Sequence, residues 1–471
     1  MSKSKKNTII LGGGLSGLSS GYELSKAGFK VGVYERDAVV GGLSKTIERN
    51  GFRFDLGGHR FFTADEKINA FVRELMGNEL ITVRRSSKIY LRGKYFDYPL
   101  KPLNAMFGLG ILNTARTLAD YAWEKARRTI RDKEIISLED WVVGNFGRTM
   151  FNIYFKEYSE KVWGIDCSRI SAAWVAQRIK GLSLAKAVKH AFSKVSGRGL
   201  ATLTDRFLYP TLGIGRLSDR LRDEIEMSNG DVFTGAGVES INHRGFKVDS
   251  ISVRDRVRMR TVPAEEFISS IPVTKLVRML NPLPPAEVLE TAAKLKFRDL
   301  VIVATMVDRA RITDQTWIYI PEKKIPFGRI HEPTNWSPAM APPGKSLLVT
   351  EFFSFKGDAV WSMGDTMLAD LAADNLVRLG FINKREILDS VIVRVPKAYP
   401  LFEVGYRKHI AELHDYLGRF SNLHITGRSG LFRYYNMDVA IQSGREAAVK
   451  LVQNSLSFDT VDLDDPVLAR R

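Results

Sequence analysis

The chain has 471 residues, 44% of them hydrophobic and 26% charged, with a formal net charge of +17 and a single cysteine, Cys167. At roughly 100–200 residues per domain this length suggests two or three domains, and the composition is that of a globular protein with a sizeable core. One cysteine excludes a disulfide framework and a thiolate metal cluster and fits a reducing compartment; no apolar run approaches the ~18–20 residues that span a bilayer.

The basic start Met1 to Lys6 resembles the n-region of a signal peptide, but the apolar residues Ile9 to Leu11 are cut short by glycines and cannot form an h-region. Residues 7–11 read instead as a buried strand. A glycine turn follows, then an amphipathic helix over 15–27 and a β-branched run over 30–34, together one β-α-β unit. Helical spacing of Leu112, Ala115, Leu118, Tyr121, Ala122 and Ala126 marks a helix within 104–133, closed by basic residues that suit a C-terminus. Ser137 with Asp140 reads as an N-cap opening another helix, and 140–195 continue mostly helical. Strands are expected within 246–270, where Val253, Val257 and Met259 alternate, and at 300–307, 317–320, 347–353 and 422–426. Helices are expected at 365–379 and 441–455.

Gly12-Gly13-Gly14-Leu15-Ser16-Gly17 follows the first strand and opens the first helix, the context in which G-x-G-x-x-G has chemical meaning. Gly12 permits the tight turn, Gly14 lets the backbone approach a pyrophosphate on the helix dipole, and Gly17 lets helix and strand pack closely. Glu35 ends the second strand about 20 residues on, where an acid takes a ribose hydroxyl. Arg36, the pair Gly41-Gly42 with Leu43, and Asp55-Leu56-Gly57-Gly58-His59 follow.

This layout resembles the FAD-binding start of the amine oxidase and UDP-galactopyranose mutase group. The resemblance implies FAD, held non-covalently, with the second glycine pair and the turn at Gly58 and His59 beside the flavin. Thr426-Gly427-Arg428 and Asp438 to Ala448 resemble that group's last strand and final helix, which implies that Arg428 and Asp438 lie near the cofactor. Four further stretches are similar to UDP-galactopyranose mutase itself: Gly57 to Thr63, Phe155 to Gly164, Arg329 to Glu332 with Trp336 to Pro338, and Gly427 to Asp438. Chemistry at N5 of the reduced flavin is then implied. N5 attacks the anomeric carbon, a nucleoside diphosphate departs, and the sugar re-closes in a smaller ring. By the match, Arg329, Tyr399 and Tyr434 hold phosphates, Tyr158 and Trp163 line the sugar pocket, and His59 tunes the flavin.

The chain departs from the mutase pattern. Phe62 replaces a second histidine, and Asn436 an aspartate. The mobile-loop arginine falls near Leu182, with Arg178 and Lys180 close but shifted. No aromatic pair for uracil appears in 183–198, which carries Lys186, Lys189, Lys194 and Arg198. Tyr209 to Leu217, Tyr399 to Tyr406 and Ser443 to Ala448 resemble protoporphyrinogen oxidase-like and amine oxidase-like proteins instead.

The expected fold is therefore α/β. An FAD-binding Rossmann-like domain would be built from 1–80, 225–275 and 415–456, with a helical insertion at 100–210. An antiparallel substrate-binding sheet would use 81–99 and 290–414, leaving a tail at 457–471. Three functions stay open: a mutase-like flavoenzyme on a phosphate-linked sugar, an FAD-dependent oxidoreductase on a sugar, polyprenyl or amine substrate, and a binding protein that has lost catalysis. NAD(P)H is the candidate reductant. No metal site is expected, the seven histidines being scattered. The basic clusters, among them Arg84, Arg85 and Lys88, lack the aromatic interleaving of nucleic-acid modules and read as solvated faces or as contacts with an anionic membrane surface. A cytoplasmic location, peripheral to the inner membrane face, is expected.

Overall fold

The computed structural model describes residues 6–91, 93–98, 111–130, 134–178, 205–255 and 258–456. Its first layer is a five-stranded sheet, all parallel, in the spatial order Leu423–Ile425, Glu266–Ser269, Asn7–Leu11, Lys30–Tyr34, Asp231–Phe233. Parallel strands are covered on both faces and so need continuous apolar runs, which Ile9, Ile10 and Leu11 supply, all buried. Helix Leu15–Lys26 crosses this sheet and packs against Gly215–Met227 and Met437–Leu456. The last contact is backbone to backbone: a side chain at Gly444 would place its Cβ 2.1 Å from the Ser16 carbonyl. Ser16 Oγ donates to the Ala440 carbonyl at 2.7 Å and Ser20 Oγ to that of Gly444 at 2.8 Å, sealing the crossing.

The second layer is a seven-stranded sheet in the order Ile387–Pro400, Phe297–Val307, Ser346–Ser354, Arg329–His331, Trp317–Tyr319, Ser87–Leu91, Lys94–Asp97. It is mixed rather than wholly antiparallel, because Trp317–Tyr319 runs parallel to Ser87–Leu91. These two strands are separated by nearly half of the chain, so no hairpin forces them into opposite directions. The strand-like stretch 246–270 divides. Glu266–Ser269 enters the parallel sheet, while Lys247–Asp255 and Arg258–Pro263 join Ala236–Arg244 and Leu280–Asn281 in a separate four-stranded sheet. Val253 is buried there but Met259 is exposed, so the apparent alternation does not follow one face.

The insertion holds helices Ile111–Ile130, Leu138–Phe146, Lys156–Trp163 and Ala172–Arg178; residues 179–204, with the basic stretch and Leu182, lie outside the described residues. Ser137 and Asp140 form a reciprocal cap, Ser137 Oγ accepting from Asp140 N at 3.1 Å. Lys161 ties the insertion to the sheet. Its Nζ donates to the carbonyls of Ile320, Glu322 and Phe327 at 2.9, 2.8 and 2.7 Å, using all three ammonium protons. The final helix begins four residues before the expected start. Strand Ile387–Pro400 goes unannounced by the sequence. Pro396 interrupts its pattern, and Lys397 takes a left-handed φ of 56° beside a register shift, which masks the alternation.

Candidate functional site

A cleft of about 1720 Å³ runs from the glycine loop to the face of the seven-stranded sheet. At its first end Gly12 has φ 102°, and a Cβ on Gly17 would stand 2.0 Å from the Gly12 carbonyl. A Cβ on Gly14 would meet nothing nearer than Gly42 Cα, at 3.9 Å. Gly41 N donates to the Gly13 carbonyl at 2.7 Å, so the two glycine segments form one surface. Leu15, Ser16, Gly42, Leu43 and Arg36 line it. The Glu35 carboxylate is already anchored, one oxygen accepting from Gly13 N at 2.8 Å and the other from Asp37 N at 2.9 Å. It orders the loop as well as facing the cleft.

The turn at Gly57, Gly58 and His59 is held from below. Buried Asp55 accepts from Thr46 Oγ1 and Tyr209 Oη, both at 2.6 Å, and from Ile214 N at 3.1 Å. Burial pushes its carboxyl up to about 7. Two motifs read separately in the sequence, around Asp55 and around Tyr209, thus close on one carboxyl group. From above, the Trp317 ring fills the place of a side chain on Gly58: a Cβ there would lie 1.3 Å from Trp317 Cζ3. Trp317, His331 and Trp336 form a stack, with His331 5.7 Å from the first and 5.3 Å from the second.

Strand register assembles the far wall. The pairings Ile302 with Glu351, Glu351 with Arg329, Arg329 with Tyr319, and Tyr319 with Ile89 set one row across the sheet. Arg329 Nη1 lies 3.1 Å from Glu351 Oε2, Nε donates to Tyr158 Oη at 3.3 Å, and both Nη atoms reach Tyr399 Oη at 3.5 Å. Burial opposes charge on Arg329, but Glu351 and the surrounding tyrosines outweigh it and hold the guanidinium protonated. Burial raises the Glu351 carboxyl, with Arg329 pulling it back. Tyr399 stacks on Tyr434 at 6.2 Å, and Arg428 sits 4.5 Å over the Tyr434 ring, anchored to the Tyr435 and Ala398 carbonyls at 3.0 and 3.2 Å. A π turn over Phe151–Phe155, a feature that recurs at functional sites, precedes Tyr158. Trp163 is 4% exposed and packs on Trp174 and Tyr399; it backs the wall more than it presents a face.

The structure thus brings together Arg329, Tyr158, Tyr399, Tyr434, Arg428 and His59. Glu351, Trp317, His331 and Asp55 were missed as site residues. The alternation Arg329-Ile330-His331 could have placed His331 on the face of Arg329, since Ile330 is buried in the core beneath. Nothing local marks Glu351.

Burial pushes His59 down to about 4, with Arg428 adding to it, and pushes His331 down to about 3. Both are neutral at pH 7. Depressed folded-state values mean stability that is complete above the unfolded histidine value near 6.5 and is lost as pH falls toward the folded values. Asp55, raised in the fold, works in the opposite direction over part of this window. The measurable outcome is therefore a difference: His331→Phe should flatten the pH–stability profile by up to about 1.4 kcal/mol per pH unit between pH 6 and 4. Denaturant titrations at several pH values check it, and parallel profiles would count against a buried neutral His331.

The model of the family of flavin-containing amine oxidoreductases matches residues 15–452, and the chain belongs to that family. It is a flavoenzyme of that family, and the family implies FAD. The chain is 20% identical to coproporphyrinogen III oxidase of Bacillus subtilis over 95% of its own length and 98% of that protein. Phytoene desaturase of Fusarium fujikuroi is 44% identical but only over 57 residues, 12% of this chain and 10% of that protein. In structure it is similar to reduced UDP-galactopyranose mutase, with a TM-score of 0.82 at 21% identity over 97% of both chains. The cleft suits FAD by its own chemistry. Gly14 and Gly42 leave room for backbone approach, and His59 Nδ1, Arg428 Nε and Asp438 Oδ1 are buried without partners along it. Among the described residues no helix is long and apolar enough to cross a membrane.

Proposed function

We propose that the protein is a mutase-like flavoenzyme that rearranges the ring of a sugar carried on a phosphate or diphosphate, without net redox change. One observation carries this reading: Arg329 converges with the hydroxyls of Tyr158 and Tyr399 on the same cleft as the FAD cradle. Bound, reduced FAD supplies the electron pair that acts at the anomeric carbon. The chain's own residues do the rest. Arg329 presents a planar fork of donors that suits a phosphoryl group, and the tyrosines, held neutral by burial, add O–H donors. Such donors stabilise charge as it gathers on a departing phosphate. His59, neutral, offers one nitrogen to the cofactor. Glu35, Gly12, Gly14 and Arg36 hold the dinucleotide end. Support comes from the full-length likeness in fold to UDP-galactopyranose mutase.

The full-length match to coproporphyrinogen III oxidase favours a second reading, an oxidoreductase whose anionic substrate the same arginines bind. The test reduces the flavin anaerobically with dithionite, or with NADPH as the proposed physiological donor. UDP-galactopyranose or UDP-galactofuranose is then added. Interconversion with the flavin still reduced is expected. Absence of interconversion, with oxidised enzyme instead consuming oxygen on coproporphyrinogen III, would overturn the mutase reading in favour of the second.

A further inference from the structure

Lys397 belongs to the seven-stranded sheet, yet its side chain reaches the dinucleotide layer. Between the pairings Leu300 with Val395 and Arg298 with Tyr399, residues 396–398 stand opposite the single residue Asp299. The outer strand bulges there, and a bulge re-aims a side chain that regular pleating would send elsewhere. Buried Asp299 fixes the bulge with both carboxylate oxygens. Oδ1 accepts from Lys397 N and Oδ2 from Lys356 N, at 2.6 and 2.7 Å. Lys397 takes a left-handed φ of 56°, which residues with a Cβ rarely adopt. Such outliers persist only where the surroundings impose them, and they gather at ligand clamps.

The bulge lays the Lys397 ammonium 5.1 Å over the Phe297 ring, where Nζ donates to Thr274 Oγ1 at 3.0 Å. Buried Thr274 lies just past the carboxyl end of strand Glu266–Ser269, beside the glycine loop, where Ser270 Oγ donates to the Gly12 carbonyl at 3.2 Å. Ligands of parallel α/β sheets bind along that edge. Lys275 is the next residue and Arg278 stands one helical turn beyond Thr274; both line the same cleft as Lys397, Gly12 and Gly14. Among the described residues no carboxylate pairs with any of these three cations. Glu35 is committed to Gly13 N and Asp37 N, Asp37 to Lys45, and Glu239 to Arg254. Thr274 takes one of the three ammonium protons of Lys397 and leaves two for a ligand. Burial pushes that ammonium down to about 8, with the charges of Arg278 and Lys275 adding to it. A half-buried cation among like charges is costly unless an anion joins it. The glycine loop offers backbone approach but no charge, and Arg36 beside it already faces Asp37 at 3.4 Å.

We infer that Lys397 is a phosphate-binding residue at the nucleotide end of the cleft, with Lys275 and Arg278 beside it, so that a nucleotide lying on the glycine loop is gripped by both layers. The ligand chemistry is a phosphoryl ester, carried alike by the diphosphate of FAD and by the phosphates of a separate NADPH. The inference concerns the nucleotide and not the substrate, so it holds for either reading of the reaction.

The experiment measures the FAD dissociation constant of the flavin-loaded full-length protein by equilibrium ultrafiltration, and NADPH binding to the FAD-saturated protein by calorimetry. The variants are Lys397→Gln and Lys397→Arg, with Lys408→Gln, exposed on helix Tyr406–Leu417, as a control for the general field. Lys397→Gln should raise the FAD dissociation constant by about 10-fold or more, the size of a lost hydrogen bond to a charged group, while Lys397→Arg stays within about 3-fold and Lys408→Gln within about 2-fold of the parent. A loss confined to NADPH keeps the site and assigns its phosphoryl group to a second nucleotide. Unchanged affinity for both nucleotides in Lys397→Gln overturns the inference. An equal loss in Lys397→Arg also overturns it, since the bulge and not the charge would then matter, as does an equal loss in Lys408→Gln. If Lys397→Gln does not fold, the double variant Lys275→Gln with Arg278→Gln decides by the same criterion.

Discussion

Replacing Arg329 with methionine should abolish turnover and destabilise the flavin-loaded protein by about 3–5 kcal/mol, because it strands Glu351 as an unpaired charge in a place with no solvent. Glu351 is wholly buried and Arg329 is 13% exposed, with 3.1 Å between their charged atoms. Removing both charges should be far milder than removing one: Arg329→Met with Glu351→Gln should recover most of the stability and none of the activity. Arg329→Lys keeps the charge but not the fork that also reaches Tyr158 and Tyr399; it should remain folded and lose about 10²–10³-fold in kcat. Denaturant titration and steady-state assay separate the two effects. If the single methionine variant loses less than about 1 kcal/mol, the pair is solvated and Arg329 is not a buried phosphate donor.

Gly58→Ala should cost the protein its flavin. The added methyl would coincide with the Trp317 ring, 1.3 Å from Cζ3. That ring cannot step aside, since His331 and then Trp336 are stacked beside it. The turn bearing His59 must therefore move. Overpacking a closed site costs about 1–3 kcal/mol and sometimes more, and here the displaced backbone lines the cleft proposed to hold the cofactor. The ratio of flavin to protein absorbance in the purified variant should fall by at least half, and Gly58→Ala with Trp317→Ala should restore it. A single alanine variant retaining full flavin would show that Trp317 yields and that the turn is not wedged.

How much of this was legible beforehand follows the range of the interactions. The glycine loop was readable because its demands are local. Gly12 needs a left-handed φ, Gly14 an open approach, and Gly17 contact with its own strand, all within one turn of chain. Ser137 with Asp140 was readable for the same reason, as a cap closed over three residues. The apolar run 300–307 of strand Phe297–Val307, a strand buried at every position, announced itself by composition. Local patterns failed where a strand is bent, as at Lys397, and where two sheets share one stretch of alternation, as in 246–270. The resemblance named Arg329, Tyr158, Tyr399 and Tyr434 one at a time.

By itself, then, the amino-acid sequence determined the glycine loop between the first strand and the first helix and pointed from it to a dinucleotide site, with arginine and tyrosine chemistry further along the chain. Tertiary structure alone decided that Arg329 pairs with Glu351, that Asp55 and Tyr209 brace one turn across 154 residues, and that Trp317 takes the space Gly58 leaves. The physical reason is register. A one-residue slip between Arg329–His331 and Ser346–Ser354 would turn Glu351 to the other face, and that register is set by core packing of residues far apart in sequence, which no local pattern records.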